Sequence, residues 1–303
     1  MNGVLILDKP AEFTSFDAVA VMRGISRERK IGHTGTLDPM ATGVLPLLLG
    51  RAAKAADLLP DTTKEYAAGF KIGKKSDTGD IWGKITQTSD TKISLEVLLK
   101  SIGCFRGEIM QIPPMYSAVS VGGQRLYKLA RQGIEIEREA RKVEIAELEV
   151  LEYNPEIGEG KLKISCSKGT YIRTLIEDIA EKAGSCAVMT SLRRTRACGF
   201  DEIDALTLDE VKELAKAGEF SKIVKPTDSL FSYLTAVNVS REQAVRFLNG
   251  GFLSASRVKE LQENAEQMRV YAPSGLFLGL GKMNTATNEI EILKLFADKA
   301  DLI

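Results

Sequence analysis

Apolar positions recur along the chain with two different periods. Val4 to Leu7 form a short unbroken apolar run that predicts a buried strand, and in Lys64 to Gly73 alternation puts Tyr66, Ala68, Phe70 and Ile72 on one strand face. Ser15 to Arg23 follow helical spacing, opened by the capping pair Thr14 and Asp17 and closed by Gly24. "RAAKAADLL" (51–59) is helical in spacing and ends at Pro60, and residues 94–102 read as a helix. "KSDTGDIWG" (75–83) is turn chemistry. Val143 to Glu152 and Lys161 to Ser167 predict strands, and "GTYIRTLIEDIAEKAG" (169–184) predicts a helix with Thr170 as N-cap and Gly184 as its stop. Later, "REQAVRFLNGG" (241–251) reads as a short helix, and "MRVYAPSGLFLGLGKM" (268–283) and "NEIEILKLF" (288–296) as strands separated by turns. Together these elements predict an α+β protein: a large domain over residues 1–232 and a small β-rich module over 233–303.

One region breaks the rhythm. Residues 111–142 carry two prolines, the pair Gly122-Gly123 and six basic residues, Arg125 and Arg131 among them, which predicts a projecting arm containing a short helix. Overall charge adds nothing to this, since 41 basic residues balance 41 acidic ones, and any nucleic-acid site must come from local clustering. The first apolar run stops at Asp8 with no basic leader, and Val44 to Leu49 is far short of the roughly 20 residues that span a bilayer, so a soluble cytoplasmic protein is expected.

Residue counts narrow the chemistry. Cys104, Cys166, Cys186 and Cys198 form no CxxC pair, which removes zinc-ribbon and thioredoxin readings. His33 is the only histidine, so any site needing two imidazoles is excluded and a His-based triad would have to run through it. Carboxylate, tyrosine, lysine and arginine are left to act. Asp38 precedes Pro39, which holds it extended, between Gly35 and Gly43. Spacing alone favours an ordinary Asp-Pro turn; the alternative is a carboxylate presented rigidly on the floor of a cleft, as a nucleophile or base requires. Tyr66 is by default a core aromatic, or else a ring that stacks on a base. Arg173, in the first turn of a helix, sits near the positive end of the dipole and calls for an anionic partner, with Asp38 a candidate. Arg193, Arg194 and Arg196 read either as a solvated face or as a phosphate grip. Two glycine patterns, Gly32 to Gly35 and Gly279 to Met283, are too weak or too irregular to signify an RNA clamp or a phosphate loop.

Six segments in order, "LDKPAEFTS", "GHTGTLDPMATGVLPLLLGRAAK", "KEYAAGFKIGKKSDTGDIWG", "QIPPMYSAVSVGGQRLYKLARQG", "CSKGTYIRTLIEDIA" and "LRRTRACGF", closely resemble the TruB family of tRNA pseudouridine synthases across residues 3–200. The resemblance implies a pseudouridine synthase fold, with a mixed, largely antiparallel central sheet flanked by helices. The C-terminal part looks more loosely like a PUA-type RNA-binding barrel. It further implies that Asp38 is the catalytic aspartate, that Tyr66 stacks on the target uracil and that Arg173 pairs with Asp38. His33, Lys9, Leu192, Tyr171, Arg193, Arg194, Arg125 and Arg131 are then the substrate-binding candidates, with Lys9 ordering the floor of the site and Leu192 packing on the base pocket. The implied substrate is a T-loop uridine of tRNA, at position 55, flipped out of its stack. No metal, cofactor or obligate protein partner is expected, and a monomer is the default. Glu12 departs from the family pattern, which has glycine there, and Ser120 stands where a lysine usually follows "YSAV".

Three other readings compete: a non-catalytic RNA binder, which would not require Asp38, Tyr66 and Arg173 together; a glycoside hydrolase, which would require two carboxylates about 5–9 Å apart; and a guide-RNA-dependent relative, which the absence of basic extensions disfavours.

Overall fold

Val4 to Leu7 are buried on both faces of strand β1 (Gly3–Lys9), which is why that run shows no alternation. The computed structural model describes every residue except 60–61, 259–260, 262–264 and 303, so the expected stop at Pro60 lies outside the described residues. A capping box between Thr14 and Asp17 opens helix α1 (Ser15–Ser26). The helix runs past the expected stop at Gly24 and ends at Arg27, which turns left-handed at φ 55°. One glycine costs a helix about 1 kcal/mol, too little to end it while Val19 and Met22 bury its inner face.

Strands β2 (Ile31–His33) and β3 (Thr42–Leu49) follow. β1 pairs antiparallel with β3 along the whole of β1, from Gly3 opposite Leu49 to Lys9 opposite Gly43. On its other side β3 changes partner, meeting β2 at Leu47–Leu49 and a later strand at Thr42 and Gly43. Pro46 sits at the changeover. Its carbonyl accepts from the Thr34 N–H at 3.2 Å on that side, so the N–H it lacks is one no ladder requires. Residues 34–41 join the two strands beside this gap.

The segment expected as a helix over 51–59 is a 3-10 helix confined to Gly50–Ala55. Ala52 and Ala55 are buried three residues apart, the spacing that a three-residue turn stacks on one side. β4 (Lys64–Ile72) buries Tyr66, Ala68, Phe70 and Ile72 as its alternation predicts. The hairpin β5 (Lys74–Ser76) and β6 (Ile85–Thr88) leads to α2 (Leu95–Gly103) and β7 (Gly107–Gln111). Within the basic region lie a two-residue ladder, β8 (Ser120–Val121) with β9 (Gln124–Arg125), and the short helix α3 (Leu126–Arg131). Strands β10 (Arg141–Asn154) and β11 (Glu159–Cys166) precede α4 (Ile172–Lys182). Thr170 is not the N-cap of α4. Its hydroxyl donates to the Ser167 carbonyl at 3.0 Å, which leaves Tyr171 at the cap with no side-chain bond. Gly184, at φ 83°, follows the helix as expected.

β12 (Ala187–Ala197), β13 (Phe200–Asp201), β14 (Leu206–Thr207) and α5 (Leu208–Lys216) complete the first sheet and its cover. The strand order is β14-β1-β3-β12-β4-β11-β10-β7, with β2 and β13 attached at the side. Only β1/β14 and β3/β12 run parallel, so the sheet is mixed and largely antiparallel. A second sheet is built from β15 (Thr235–Asn238), β16 (Leu253–Ser254), β17 (Gln267–Tyr271), β18 (Phe277–Asn284) and β19 (Glu289–Leu295), in the order β15-β17-β18-β19-β16, with α6 (Arg241–Leu248) packed on it. Leu280 and Phe296 of this unit pack with Val4, Leu48 and Phe231 of the first. Arg51 ties the two with ion pairs to Asp298 and Asp301.

Candidate active site

Asp38 lies in the β2–β3 connection, and four attachments fix that segment. The Ala41 N–H donates to the Asp38 carbonyl at 3.1 Å. Ser15, at the start of α1, accepts from the Leu37 N–H at 2.9 Å and donates to the Leu37 carbonyl at 3.3 Å. Buried Lys9 donates from Nζ to the carbonyls of Pro10, Phe13 and Pro39 at 2.7, 2.5 and 3.1 Å. Burial pulls its ammonium down to about 8, with the Asp38 charge opposing the shift. Arg194 donates from Nε to the Val44 carbonyl at 2.7 Å and from both terminal nitrogens to the Gly35 carbonyl. Gly43, at φ 102°, lets β3 approach β12, because a Cβ there would meet the Arg194 carbonyl oxygen at 2.2 Å.

The sequence asks for an anion beside Arg173, and Asp38 is that anion. Arg173 Nε lies 2.9 Å from Asp38 Oδ2, and Nη2 donates to Oδ1 at 3.2 Å, a bidentate pair. It also donates from Nη1 to the Thr78 carbonyl at 2.6 Å and from Nη2 to the Tyr116 carbonyl at 2.9 Å. Arg173 is therefore buried and held by four contacts, whereas Asp38 stays partly exposed. The carboxylate is fixed from behind and open in front.

In front of it two cavities meet. The smaller, about 230 Å³, is lined by Asp38, Tyr66, Tyr171, Arg173 and Leu192, with Lys64 at its side. Tyr66 is 7% exposed, and burial pushes its phenol up to about 12 while the neighbouring Arg194 opposes the shift, so the ring is neutral at physiological pH. The larger cavity, about 710 Å³, shares Asp38 and Arg173 and adds His33, Tyr127 and Arg131. Gly35 N–H donates to His33 Nδ1 at 3.3 Å, and burial lowers the imidazole's pKa, with Arg194 and Lys64 adding to the effect. Arg131 lies 5.6 Å from the Tyr127 ring centroid.

Other candidates stand apart from these cavities. Arg194 is 0% exposed, so the phosphate-gripping role expected of it is contradicted: strand alternation turns it inward with Leu192. Arg193 is already paired, with Asp8 at 2.9 Å and Glu202 at 2.5 Å. Arg125 lies on the exposed hairpin and donates to the Ala118 carbonyl. Of the two departures from the family pattern, Glu12 adopts φ 63°, the left-handed region that favours glycine, and Ser120 lies exposed on β8.

Three contributors escape a reading of the sequence alone. Tyr116 lines both cavities and its carbonyl holds Arg173; its place in the "PPMYSA" stretch is the available signal. Lys64 precedes Tyr66 on β4 by two positions, and alternation puts it on the same face. Buried Gln111 brackets Tyr171, accepting from its N–H at 2.8 Å and donating to its carbonyl at 3.1 Å, a link across 60 residues that no local pattern reveals.

A rigid carboxylate–arginine pair at the mouth of an aromatic-lined pocket, on a mixed sheet of this order, defines a class that comparison identifies. The TruB family pseudouridylate synthase N-terminal domain matches residues 23–172, the tRNA pseudouridylate synthase B C-terminal domain matches 173–232, and the pseudouridine synthase II TruB C-terminal domain matches 235–288. The tRNA pseudouridine synthase B of Clostridium tetani is 41% identical over 283 residues, covering 93% of this chain and 96% of that protein. The protein of the same name from Syntrophomonas wolfei is 40% identical over 297 residues, 97% of each chain. Among solved structures, a chain of a Cbf5-Nop10-Gar1 complex superimposes with a TM-score of 0.73 at 25% identity, covering 99% of this chain and 86% of that one. The chain belongs to the TruB family of pseudouridylate synthases.

Proposed function

We propose that this enzyme is a tRNA pseudouridine synthase that isomerises the T-loop uridine at position 55, with Asp38 as its essential carboxylate. The observation that carries the reading is the bidentate Asp38–Arg173 pair at the junction of the two cavities. The reaction breaks the N1–C1′ bond of uridine, turns the base and joins C5 to C1′, with the C5 proton lost and a proton gained at N1, so that the product is an isomer. It needs one carboxylate close to the ribose, either to attack C1′ or to take the C2′ proton, and a second group near C5.

In this reading the flipped uracil enters the smaller cavity, stacks on Tyr66 and packs against Leu192, while Arg173 keeps both Asp38 oxygens oriented. The neutral Tyr66 phenol serves as a hydrogen-bonding group and proton relay at C5. Flipping costs a few kcal/mol, offset by stacking and by backbone contacts to Arg131, Arg125 and His33 beside the loop. Lys9 and Arg194 act behind the site, as supports of the Asp38 segment. The unit over 233–303 serves as a PUA-like RNA-binding module. The enzyme works as a cytoplasmic monomer without metal or cofactor; the base moves within a single nucleotide and no redox equivalent is consumed.

The test is incubation of purified protein with an unmodified tRNA transcript, beside Asp38→Ala. Pseudouridine at position 55 with wild type, and none with the variant although tRNA still binds, is the expected result. Equal product from both proteins, or none from wild type, would sink the reading.

A further inference from the structure

The catalytic reading leaves one prominent side chain without a role. Trp82 is the chain's single tryptophan, sits in the turn between β5 and β6, and is 47% exposed. An exposed indole contributes little to the core, yet this one stands on a rigid mount. Ile81 N–H donates to the Met189 carbonyl at 2.9 Å, and Met189 N–H donates to the Gly79 carbonyl at 3.0 Å, stitching the turn to β12. Asp80 Oδ1 accepts from the Thr78 hydroxyl at 2.8 Å and from the backbone N–H of Trp82 at 3.2 Å. Lys84 N–H closes the turn on Asp77 Oδ1 at 2.8 Å. Gly83 permits the tight packing, since a Cβ there would lie 2.1 Å from Thr78 Oγ1. The Thr78 carbonyl is the one held by Arg173, so the tryptophan's mount and the catalytic pair share a support.

Trp82 lines the larger cavity with Phe16, Tyr127 and Arg131, and that cavity is continuous with Asp38. Phe16 is likewise exposed. Aromatic faces and a guanidinium along an open cleft form the surface on which unpaired bases stack while the backbone is tracked by positive charge. The cleft holds about 710 Å³ against about 230 Å³ for the pocket beside Tyr66. Once one base has entered the smaller pocket, the larger one has room for its neighbour.

We propose that Trp82 is a stacking platform for a second unpaired base of the RNA, next to the uridine delivered to Asp38, with Arg131 on the backbone between them. The inference rests on the RNA-isomerase reading and deepens it by naming a second base site. Trp82 touches none of the reacting atoms in this scheme. Its contribution falls on binding and on the choice of loop, and so on KM rather than kcat.

With one tryptophan in the chain, emission excited at the red edge, where tyrosine does not absorb, reports on this turn alone. Titrating Asp38→Ala protein with unmodified tRNA transcript gives saturable quenching at the midpoint that filter binding finds. In a series of T-arm stem-loops, each with one loop nucleotide made abasic, a single position restores emission and weakens binding. In the background with Asp38 intact, Trp82→Ala raises KM about tenfold with kcat changed less than twofold, and is indifferent to the abasic change at that position. Trp82→Phe recovers most of the loss. Because the side chain is exposed, circular dichroism of both variants matches wild type. RNA that binds and is modified with no change in emission, or Trp82→Ala with a wild-type KM, overturns the proposal. So does quenching by an added protein where RNA gives none. Wild type that neither binds nor modifies RNA overturns instead the functional reading beneath it, and the two failures are distinct.

Discussion

Arg194 grips Gly35 from inside the protein: Nη1 and Nη2 lie 3.3 and 3.2 Å from the Gly35 carbonyl oxygen, while Nε holds the Val44 carbonyl at 2.7 Å. Gly35 and Val44 flank the segment that carries Asp38, so one buried guanidinium braces both of its ends. Arg194→Met leaves one buried and one half-buried carbonyl without these donors and should cost about 2–4 kcal/mol of stability. Arg194→Lys restores charge but not the fork, and should recover less than half of the loss. Urea unfolding measures both. A methionine variant as stable as wild type would show that the buried charge costs as much as its bonds return, and would remove the bracing role.

The pair in front of that brace sets the chemistry. Arg173 spends its donors on both Asp38 oxygens and on the Thr78 and Tyr116 carbonyls, a pattern a lysine has neither the planarity nor the donor positions to copy. Arg173→Lys should therefore lower kcat by about 100-fold or more while KM stays within a few-fold. Release of tritium from C5-labelled uridine RNA under single-turnover conditions measures the step directly. A kcat within tenfold of wild type would mean that the orientation of Asp38 is set by its own segment.

Much of this site is legible in the sequence because it depends on local rules. Alternation alone puts Tyr66 on an inward face with Ala68, Phe70 and Ile72, and the unfavourable position of Arg173 in its helix calls for the anion that Asp38 supplies. Arg194 misleads because its charge suggests a surface role while its period decides the outcome: once residues 187–197 form a strand, Arg194 shares a face with Leu192 and points inward. Gly24 reads as a helix stop on residue type, whereas burial of Val19 and Met22 carries the helix past it. The Gln111–Tyr171 bracket and the Thr78 carbonyl beneath Arg173 join distant segments, and nothing in either local sequence announces them.

Glu12 offers a test of backbone strain. At φ 63° it occupies the left-handed region, where a side chain costs about 1–2 kcal/mol more than glycine, three residues beyond the Lys9 that supports the Asp38 segment. Part of that cost returns as added chain freedom when glycine is unfolded. Glu12→Gly should raise stability by about 0.5–1 kcal/mol in denaturant unfolding, with KM and kcat unchanged. Destabilisation would show that the Glu12 side chain makes a contribution larger than its strain.

The Tyr66 phenol ties stability to alkaline pH. Its folded-state pKa is pushed up to about 12, chiefly by burial, from the 10.0 of a free tyrosine. Between these two values the unfolded chain gives up a proton that the folded protein keeps, so stability must fall as pH rises through this window. Below pH 10 both states hold the proton and the group adds no pH dependence. The rise from 10.0 to about 12 corresponds to roughly 2–3 kcal/mol, lost progressively across that window. Tyr66→Phe has no proton to lose, and subtracting its unfolding free energy from that of wild type at each pH cancels the other titrating groups. The difference should be flat up to pH 10 and then shift against wild type by about that amount. For the same reason Tyr66 cannot produce an alkaline limb in kcat below pH 10, so a limb there that survived in a residually active Tyr66→Phe enzyme would belong to another group. A flat difference above pH 10 would mean that the phenol is better solvated, or better served by Arg194, than its enclosure implies.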